Sequence, residues 1–196
     1  MISLGIDPGL TGGIALVEQE GDRRRVLLAV DIPTFGEDAK RRVNVLAVLR
    51  RLQSFKITAG FIERAQAMPD QGASSGFIYG RATGALEACI LGLGVPMRVI
   101  ESSAWKKEHG LIRPKDIDSD AWKKVVKEKS RQRALFLHPE CRDMMPLKQD
   151  HGRAEAVLIA DHGLTLLQPR PDRNPPPRRK KSVPQLDLLD EASDSA

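Results

Sequence analysis

The feature that most constrains this chain is a carboxylate placed inside an apolar strand near its start. Alternating apolar residues lead up to Asp7, and a glycine-rich turn follows it, Pro8-Gly9-Leu10-Thr11-Gly12-Gly13. A carboxylate in such a strand is costly to bury unless it is paired with a cation or binds a metal ion. The two adjacent glycines also allow a backbone or a phosphate to approach closely. Asp7 is therefore either one half of an ion pair or a ligand of a cation.

Further acidic residues fall at the ends of predicted elements. Glu63 ends a short buried strand, and Asp150 and Glu155 flank the start of the last predicted helix. His151 lies four residues before Glu155 and therefore on the same helical face, whereas Asp150 lies off that face unless it turns inward as the N-cap residue. Each acid alone is compatible with a salt bridge or a helix cap. Together they favour hard-cation binding, by Mg²⁺ or Mn²⁺, and two such ions about 4 Å apart can clamp a phosphodiester.

The hydrophobic pattern predicts one α/β domain over residues 1–168. Strands, then alternating helices and strands, indicate a mixed sheet flanked by helices. We expect a strand over 2–17 that is interrupted by glycines, further strands over 26–32, 59–65 and 97–100, and helices over 37–55, 76–93, 129–137 and 150–167. Residues 113–127 are polar and are predicted to be irregular. Residues 169–196 hold six of the 13 prolines, then a basic cluster and an acidic end, which predicts a disordered tail.

Charge and cysteine content narrow the class of protein. The net charge is +5, and residues 104–153 carry 13 Lys and Arg against 8 Asp and Glu, which indicates either a solvated helical face or a surface for phosphate-rich ligands. Cys89 and Cys141 cannot form a disulfide framework and lack metal-site spacing. The sequence has no apolar run of about 18 residues, the length that a membrane-spanning helix needs. We therefore expect a cytoplasmic protein.

Four motifs in order make the sequence resemble the RuvC-type Holliday junction resolvases of the RNase H-like superfamily, in the branch found in phages, some bacteria and chloroplasts. They are Gly5-Ile6-Asp7-Pro8-Gly9-Leu10-Thr11-Gly12-Gly13, Ile62-Glu63 with Gln66-Ala67-Met68-Pro69, Gly80-Arg81-Ala82-Thr83-Gly84, and Lys148-Gln149-Asp150-His151-Gly152-Arg153-Ala154-Glu155-Ala156. The resemblance implies an RNase H-like fold and a homodimer on a four-way DNA junction. It also implies paired symmetric nicks that leave a 5′-phosphate and a 3′-hydroxyl, and a bacterial or phage-encoded, nucleoid-associated protein.

The resemblance also implies a metal site with two Mg²⁺ ions per subunit, for which Mn²⁺ can substitute. Asp7, Glu63 and Glu155 match three family carboxylates. The family's remaining ligand lies three residues before the last, where this chain has Gly152. His151 or Asp150 would then take that role, and helical geometry favours His151.

Residues expected to contact DNA follow from the same resemblance. The candidates for backbone contact, for which ordinary surface charge is the alternative, are Lys106, Lys107, Lys129, Arg133, Lys148 and Arg153. The candidates for the junction centre are Gln66, Met68, Gln71, Phe77 and Tyr79, and the last two are equally compatible with core packing. The small-residue helix over 76–93 is expected at the dimer interface, and residues 113–127 are expected to form an extra DNA-contacting loop.

Other functions remain open from the sequence. In the tail, Gln185, Leu186, Asp187, Leu188 and Leu189 resemble a sliding-clamp-binding peptide, with a solubilising acidic end as the alternative. The first motif also occurs in actin-like ATPases, but a 168-residue body is too short for their two lobes. A noncatalytic junction-binding protein, or an RNase H-like nuclease acting on RNA–DNA hybrids or other branched DNA, are the remaining alternatives.

Overall fold

A mixed five-stranded sheet forms the centre of the protein, as seen in a computed structural model that describes residues 1–37, 40–66 and 72–168. Its strands are β1 (Ile2–Asp7), β2 (Gly13–Glu20), β3 (Arg23–Asp31), β6 (Ala59–Glu63) and β7 (Met97–Ile100). Their order across the sheet is β3-β2-β1-β6-β7; β1, β2 and β3 are antiparallel, whereas β6 runs parallel to β1 and β7. The predicted mixed sheet with flanking helices is confirmed.

Five helices and a small second sheet complete the fold. The helices are α1 (Val45–Leu52), α2 (Ala73–Gly92), α3 (Ser102–Glu108), α4 (Ser119–Leu137) and α5 (His151–Leu167), and a 3₁₀ helix spans Pro139–Met144. Strands β4 (Thr34–Phe35) and β5 (Arg42–Val43) pair with each other. None of the helices in these described ranges combines the length and the apolar character needed to cross a membrane. The predicted tail and its clamp-like peptide lie outside the described residues.

The glycine-rich segment after Asp7 is a chain reversal and not an interruption of one strand. Gly9 has a φ of 120°, which an L side chain rarely adopts, and the Gly12 amide donates to the Gly9 carbonyl oxygen at 3.3 Å. The chain therefore turns back, and Ile6 pairs with Ile14 across the antiparallel β1 and β2. The single strand predicted over 2–17 is wrong in this respect, because its two halves are neighbouring strands.

Two helices begin at other residues than the sequence predicted, because polar side chains cap them there. Helix α1 begins only at Val45, where the Asn44 side chain accepts from the Ala47 amide at 3.1 Å. Helix α4 begins ten residues before the predicted 129, at Ser119, because the Asp118 carboxylate accepts from the amides of Asp120 and Ala121. Much of the segment predicted to be irregular is thus the first half of a helix.

The sheet separates two apolar cores, as the two-residue period of its strands requires. On one face Leu4, Ile6 and Ile14 pack with residues of α1 and α2. On the other face the alternate residues Ala15 and Val17 pack with α5, together with side chains from α3 and α4. Helix α5 is buried along most of its length.

A close approach of α5 to the sheet depends on Gly5 in the middle of β1. A Cβ atom at this position would lie 2.2 Å from the Ala156 carbonyl oxygen and 2.4 Å from the Ala160 amide nitrogen. Both are backbone atoms of α5, so a side-chain rotation cannot relieve such a contact. The absence of a side chain at Gly5 therefore sets how near the helix lies to the strand that carries Asp7.

Replacing Gly5 with Ala should destabilise the protein by about 1–3 kcal/mol or more, because α5 must move away from β1 to accept the methyl group. Denaturant unfolding monitored by circular dichroism measures the loss. Gly92→Ala is the matched control, since a Cβ there has no neighbour within 4 Å. Equal stability of the two variants would contradict the close approach of α5.

Candidate active site

Three carboxylates from three different elements converge at one edge of the sheet. Ile6 pairs with Ile62, so Asp7 and Glu63, the next residue in each parallel strand, are neighbours at the carboxyl ends of β1 and β6. Glu155 reaches the same place from the second turn of α5, which packs on β1. Each of the three residues remains partly exposed, so a ligand can reach them from solvent.

The electrostatics of the cluster reflect uncompensated negative charge. Burial raises the pKa of Asp7 well above its ordinary value, and the carboxylates of Glu155 and Glu63 raise it further. Burial also raises the pKa of Glu155, against the opposing effect of nearby lysines. The pKa of the Tyr79 hydroxyl rises to about 12, through burial and then through Asp7 and Glu63. Oxygen ligands with this much repulsion suit a hard divalent cation, which would relieve it.

Two donors that sequence reasoning missed hold these carboxylates in place. The indole Nε1 of the fully buried Trp105 donates to Glu63 Oε2 at 2.6 Å. The hydroxyl of Ser130, also buried, lies within donating distance of Glu155 Oε1, at 3.1 Å, and of the Val126 carbonyl oxygen one turn earlier, at 3.0 Å. No signal in the sequence indicates either role, because both bonds join residues that are far apart in the chain. Both bonds leave the second oxygen of each carboxylate for another partner.

Two lysines lie close enough to the carboxylates to affect their protonation. Lys106 and Lys127 both lower the pKa of Asp7 and of Glu155, opposing the effect of burial. Lys106 was among the predicted residues, and its ammonium also lies 5.0 Å from the centre of the Trp105 ring. Lys127 was missed because its segment was expected to be irregular; on a helix it shares a face with Ser130, three residues later.

The two candidates for the fourth ligand have different surroundings. Asp150 occupies the N-cap position of α5 without capping it: its Oδ2 accepts from the Leu147 amide at 2.8 Å, and its Oδ1 lies 3.9 Å from Arg153. Burial lowers the pKa of His151, Lys127 lowers it further, and Asp150 raises it. A lowered pKa keeps the imidazole neutral, with a free lone pair, at physiological pH. His151 thus shares the neighbour Lys127 with Asp7 and Glu155.

Gly152, at the family's ligand position, has no room for a side chain. A Cβ atom there would lie 2.7 Å from the Thr11 carbonyl oxygen and 3.1 Å from the Gly12 Cα. The turn that follows Asp7 fills this space. A ligand on α5 must therefore come from a neighbouring residue.

The basic residues predicted to contact DNA differ in whether other residues of the protein already bind their side chains. Arg153 is held by its own protein: its guanidinium makes two hydrogen bonds to Asp31, at 2.7 and 2.6 Å, and a third to the Met144 carbonyl oxygen at 2.8 Å. On α4, Lys129 lies 5.9 Å from the Trp122 ring centre. The exposed positions are Lys107, Lys129 and Lys148, whereas Arg133 is half-buried over Phe136. A role in DNA binding stays a prediction for all of them.

The residues predicted for the junction centre are only partly described. Gln66 is exposed beyond β6 and donates to Glu101 at 3.4 Å, whereas Met68 and Gln71 lie outside the described residues. Phe77 is 68% exposed, with Arg81 over its ring, so it is not a core residue. Tyr79 packs against Gly9 and lies near Asp7 and Glu63.

A second polar cluster lies at the other end of α5. Glu108, His109 and Asp161 place one potential metal-ligand atom each within 4.8 Å of one another. Asp161 bonds His138 and forms an ion pair with Arg24 at 3.0 Å, Glu108 bonds His162 and Thr165, and His109 bonds the Leu158 carbonyl oxygen. These internal bonds join β3, α3 and α5 with His138, which directly follows α4, and they indicate a structural network distinct from the predicted site.

Comparisons with solved structures agree with the predicted fold. The RuvC of Thermus thermophilus in complex with a Holliday junction substrate superposes with a TM-score of 0.53 at 22% identity, over 82% of this chain and 90% of that one. A second Thermus thermophilus RuvC structure gives 0.52 at 20% identity, over 84% and 96%. No protein-family model and no curated protein matches the chain. The similarity confirms the RuvC-like, RNase H-like fold that the four motifs predicted.

Replacing Asp7 with Asn should stabilise the protein at pH 7 in a chelating buffer, by about 1–3 kcal/mol, because a buried charge without a partner is removed. The pKa of Asp7 in the folded protein lies above its ordinary value of 3.8, so the cost of ionising this side chain in the folded state appears above pH 3.8. This cost to the free energy of unfolding grows as the pH rises through the raised pKa. Urea unfolding at several pH values measures the gain, which should vanish below pH 3.8.

Asp31→Asn is the control of opposite sign. Arg153 lowers the pKa of Asp31, so the ionised form stabilises the fold and the amide should cost stability at pH 7. If Asp7→Asn destabilised the protein as well, Asp7 would be one half of a satisfied ion pair and not part of a cation site.

Proposed function

We propose that this protein is a divalent-metal-dependent endonuclease that resolves four-way DNA junctions by paired, symmetric nicks. The observation that carries the proposal is the convergence of Asp7, Glu63 and Glu155 at one partly exposed edge of the sheet, with Lys106 and Lys127 beside them. A cluster of carboxylates alone repels a phosphodiester. Bound cations and the two lysines would offset this repulsion, and the cluster would then be a binding site for a phosphodiester.

The residues of the site divide the work of phosphodiester hydrolysis. Asp7, Glu63, Glu155 and, in our assignment, His151 would hold Mg²⁺ or Mn²⁺, which would activate water and neutralise charge on the phosphate. Trp105 and Ser130 keep Glu63 and Glu155 in fixed orientations, which reduces the reorganisation required during reaction. Lys106 and Lys127 attract the phosphate and hold it near the carboxylates. Hydrolysis then leaves a 5′-phosphate and a 3′-hydroxyl.

Paired nicks require two sites, and α2 offers a surface for a second copy of the chain. Gly76, Gly80 and Gly84 repeat every four residues, and a Cβ at any of them would meet nothing within 4 Å. A glycine inside a helix costs about 1 kcal/mol relative to alanine, so such a stripe on the surface has no advantage for the monomer. Against another α2 it would allow two helix backbones to approach closely. We therefore assign the homodimer interface to this stripe.

Two alternatives differ from the proposal in substrate and in chemistry. An RNase H-like nuclease acting on RNA–DNA hybrids or on other branched DNA would use the same carboxylates. A noncatalytic junction-binding protein would have no need for three converging carboxylates, two of which accept hydrogen bonds from buried side chains. The noncatalytic protein is thus less compatible with the bonds from Trp105 and Ser130 than the RNase H-like nuclease is.

We expect the purified protein to nick a synthetic four-way junction symmetrically in Mg²⁺ and to leave a linear duplex and an RNA–DNA hybrid intact. Asp7→Asn, Glu63→Gln and Glu155→Gln should each lower the cleavage rate by roughly 10²-fold or more while junction binding persists, because positioned charge supplies much of the rate enhancement. Denaturing gels and band-shift titrations measure the two effects. Cleavage of the hybrid alone would refute the proposal.

The same assay separates the two candidates for the fourth ligand. His151→Ala should reduce cleavage strongly, whereas Asp150→Asn should act mainly on stability through the turn at Leu147. Loss of activity in Asp150→Asn with an unchanged melting temperature would reassign the ligand.

Gly84→Leu should convert the dimer into a folded monomer, because the side chain has free space in one chain and none between two close helices. Analytical ultracentrifugation measures the association, and circular dichroism checks the fold. Gln53→Leu, which adds the same side chain at an exposed position outside α2, should leave the dimer intact. An unchanged dimer in Gly84→Leu would place the interface elsewhere.

A further inference from the structure

A groove of about 340 Å³ lies beside the carboxylate site. It is bounded by α3, by the segment that follows α3, and by the first turn of α4. Lys106 lines the groove, and the residue before it, Trp105, donates its indole N–H to Glu63, so the groove adjoins the site. Its volume falls within the range of pockets that hold small molecules or parts of larger ligands.

The wall of the groove includes one of the two tryptophans of the chain, and the two differ in environment. Trp105 is buried and donates its indole N–H to Glu63. Trp122 is half-exposed, and in the described part of the chain no hydrogen bond is found for its indole N–H. An aromatic ring on the surface of a polar, basic helix contributes little to the core.

The segment before Trp122 is held by internal hydrogen bonds. The Leu111 amide donates to the Lys106 carbonyl oxygen at 2.7 Å, and Arg113 Nη1 donates to the Ile117 carbonyl oxygen at 2.7 Å. Asp118 then caps α4. These contacts attach the backbone that leads to Trp122 to the end of α3 and to the start of α4, so the backbone that bounds the groove is part of the fold.

The lining combines three kinds of group that a nucleotide requires. Trp122 and Ile112, which is 49% exposed, supply apolar surface. Lys106 and Arg113 supply positive charge, and Ser102 and Ser103 supply hydroxyls. The one acidic wall residue, Glu101, is paired with Arg64, which reduces its repulsion of a phosphate. A purely apolar partner would leave these charges without partners, and the bases of an intact duplex are stacked on one another, so none can lie flat on the indole.

We propose that this groove holds one unpaired nucleotide of the DNA substrate, with its base stacked on the Trp122 indole and its phosphate near Lys106 and Arg113. The proposal rests on the proposed function and specifies how the substrate is recognised: the protein would take up a base next to the cleaved phosphate, where a branched structure exposes one. Stacking accepts any base, because every base has a π-face. Any preference among bases would come from Gln66 and Glu101, which also line the groove.

The first test uses the Asp7→Asn protein, so that binding is observed without cleavage. Four-way junctions carry the fluorescent base 2-aminopurine at successive positions beside the branch point. One position should be quenched on binding, and Trp122→Ala should abolish this quenching and weaken binding roughly 5- to 100-fold, as loss of one stacked base does. Trp122→Phe should retain part of both effects. Phe35→Ala, which removes a 55% exposed ring from β4, is the control and should change neither.

A second test separates failure of this inference from failure of the proposed function. A short oligothymidylate should quench the tryptophan fluorescence of the wild-type chain, and Trp122→Phe should remove that response, whether or not junctions are cut. If the protein cleaves junctions but Trp122→Ala matches the wild type in quenching, binding and cleavage, the groove does not hold a nucleotide. If junctions are not cut and the Trp122-dependent quenching remains, the groove is supported and the junction endonuclease is refuted.

Discussion

The close contact between α5 and β1 is the constraint on which the rest of the structure depends. Gly5 lets the helix backbone approach the strand to a distance that any side chain would prevent. Gly152 does the same at the start of the helix, where it meets the turn after Asp7. These contacts bring Glu155, which lies near the end of the described chain, close to Asp7, which lies near its start. The carboxylate cluster is thus a consequence of the close backbone packing of α5 on β1.

Such a cluster costs stability, and the surrounding residues compensate for only part of that cost. Burial and mutual repulsion raise the pKa values of Asp7 and Glu155, while Lys106 and Lys127 act in the opposite direction. By contrast, the network around Asp161 at the other end of α5 pairs each carboxylate with a cation or a histidine, and the pKa of Asp161 is lowered. One end of the helix is electrostatically satisfied and the other is not. Unsatisfied charge at a partly exposed edge is what a cation-binding site requires.

The sequence was sufficient for the parts of the site that follow from strand register and helical spacing. Asp7 and Glu63 end adjacent parallel strands, and the apolar pattern already indicated both strands. Trp105 and Ser130 could not be predicted, because their bonds to Glu63 and Glu155 join residues 42 and 25 positions apart. Lys127 was missed for a local reason, since the cap at Asp118 extends α4 beyond its apolar pattern. The pairing of Arg153 with Asp31 spans 122 positions and is a property of the tertiary fold.

Helix α3 connects the carboxylate site with the groove, and under the proposed function this connection would couple substrate recognition to cleavage. Trp105 points inward and holds Glu63, whereas the next residue, Lys106, faces both the carboxylates and the groove. The Leu111 amide bonds the Lys106 carbonyl oxygen, so the segment that leads to Trp122 is attached to the same turn. A nucleotide stacked on Trp122 would therefore contact the short helix that orients Glu63. Under the proposed function, a duplex without an unpaired base would lack this contact, and discrimination between branched and linear DNA would then involve the seven-residue helix that orients Glu63.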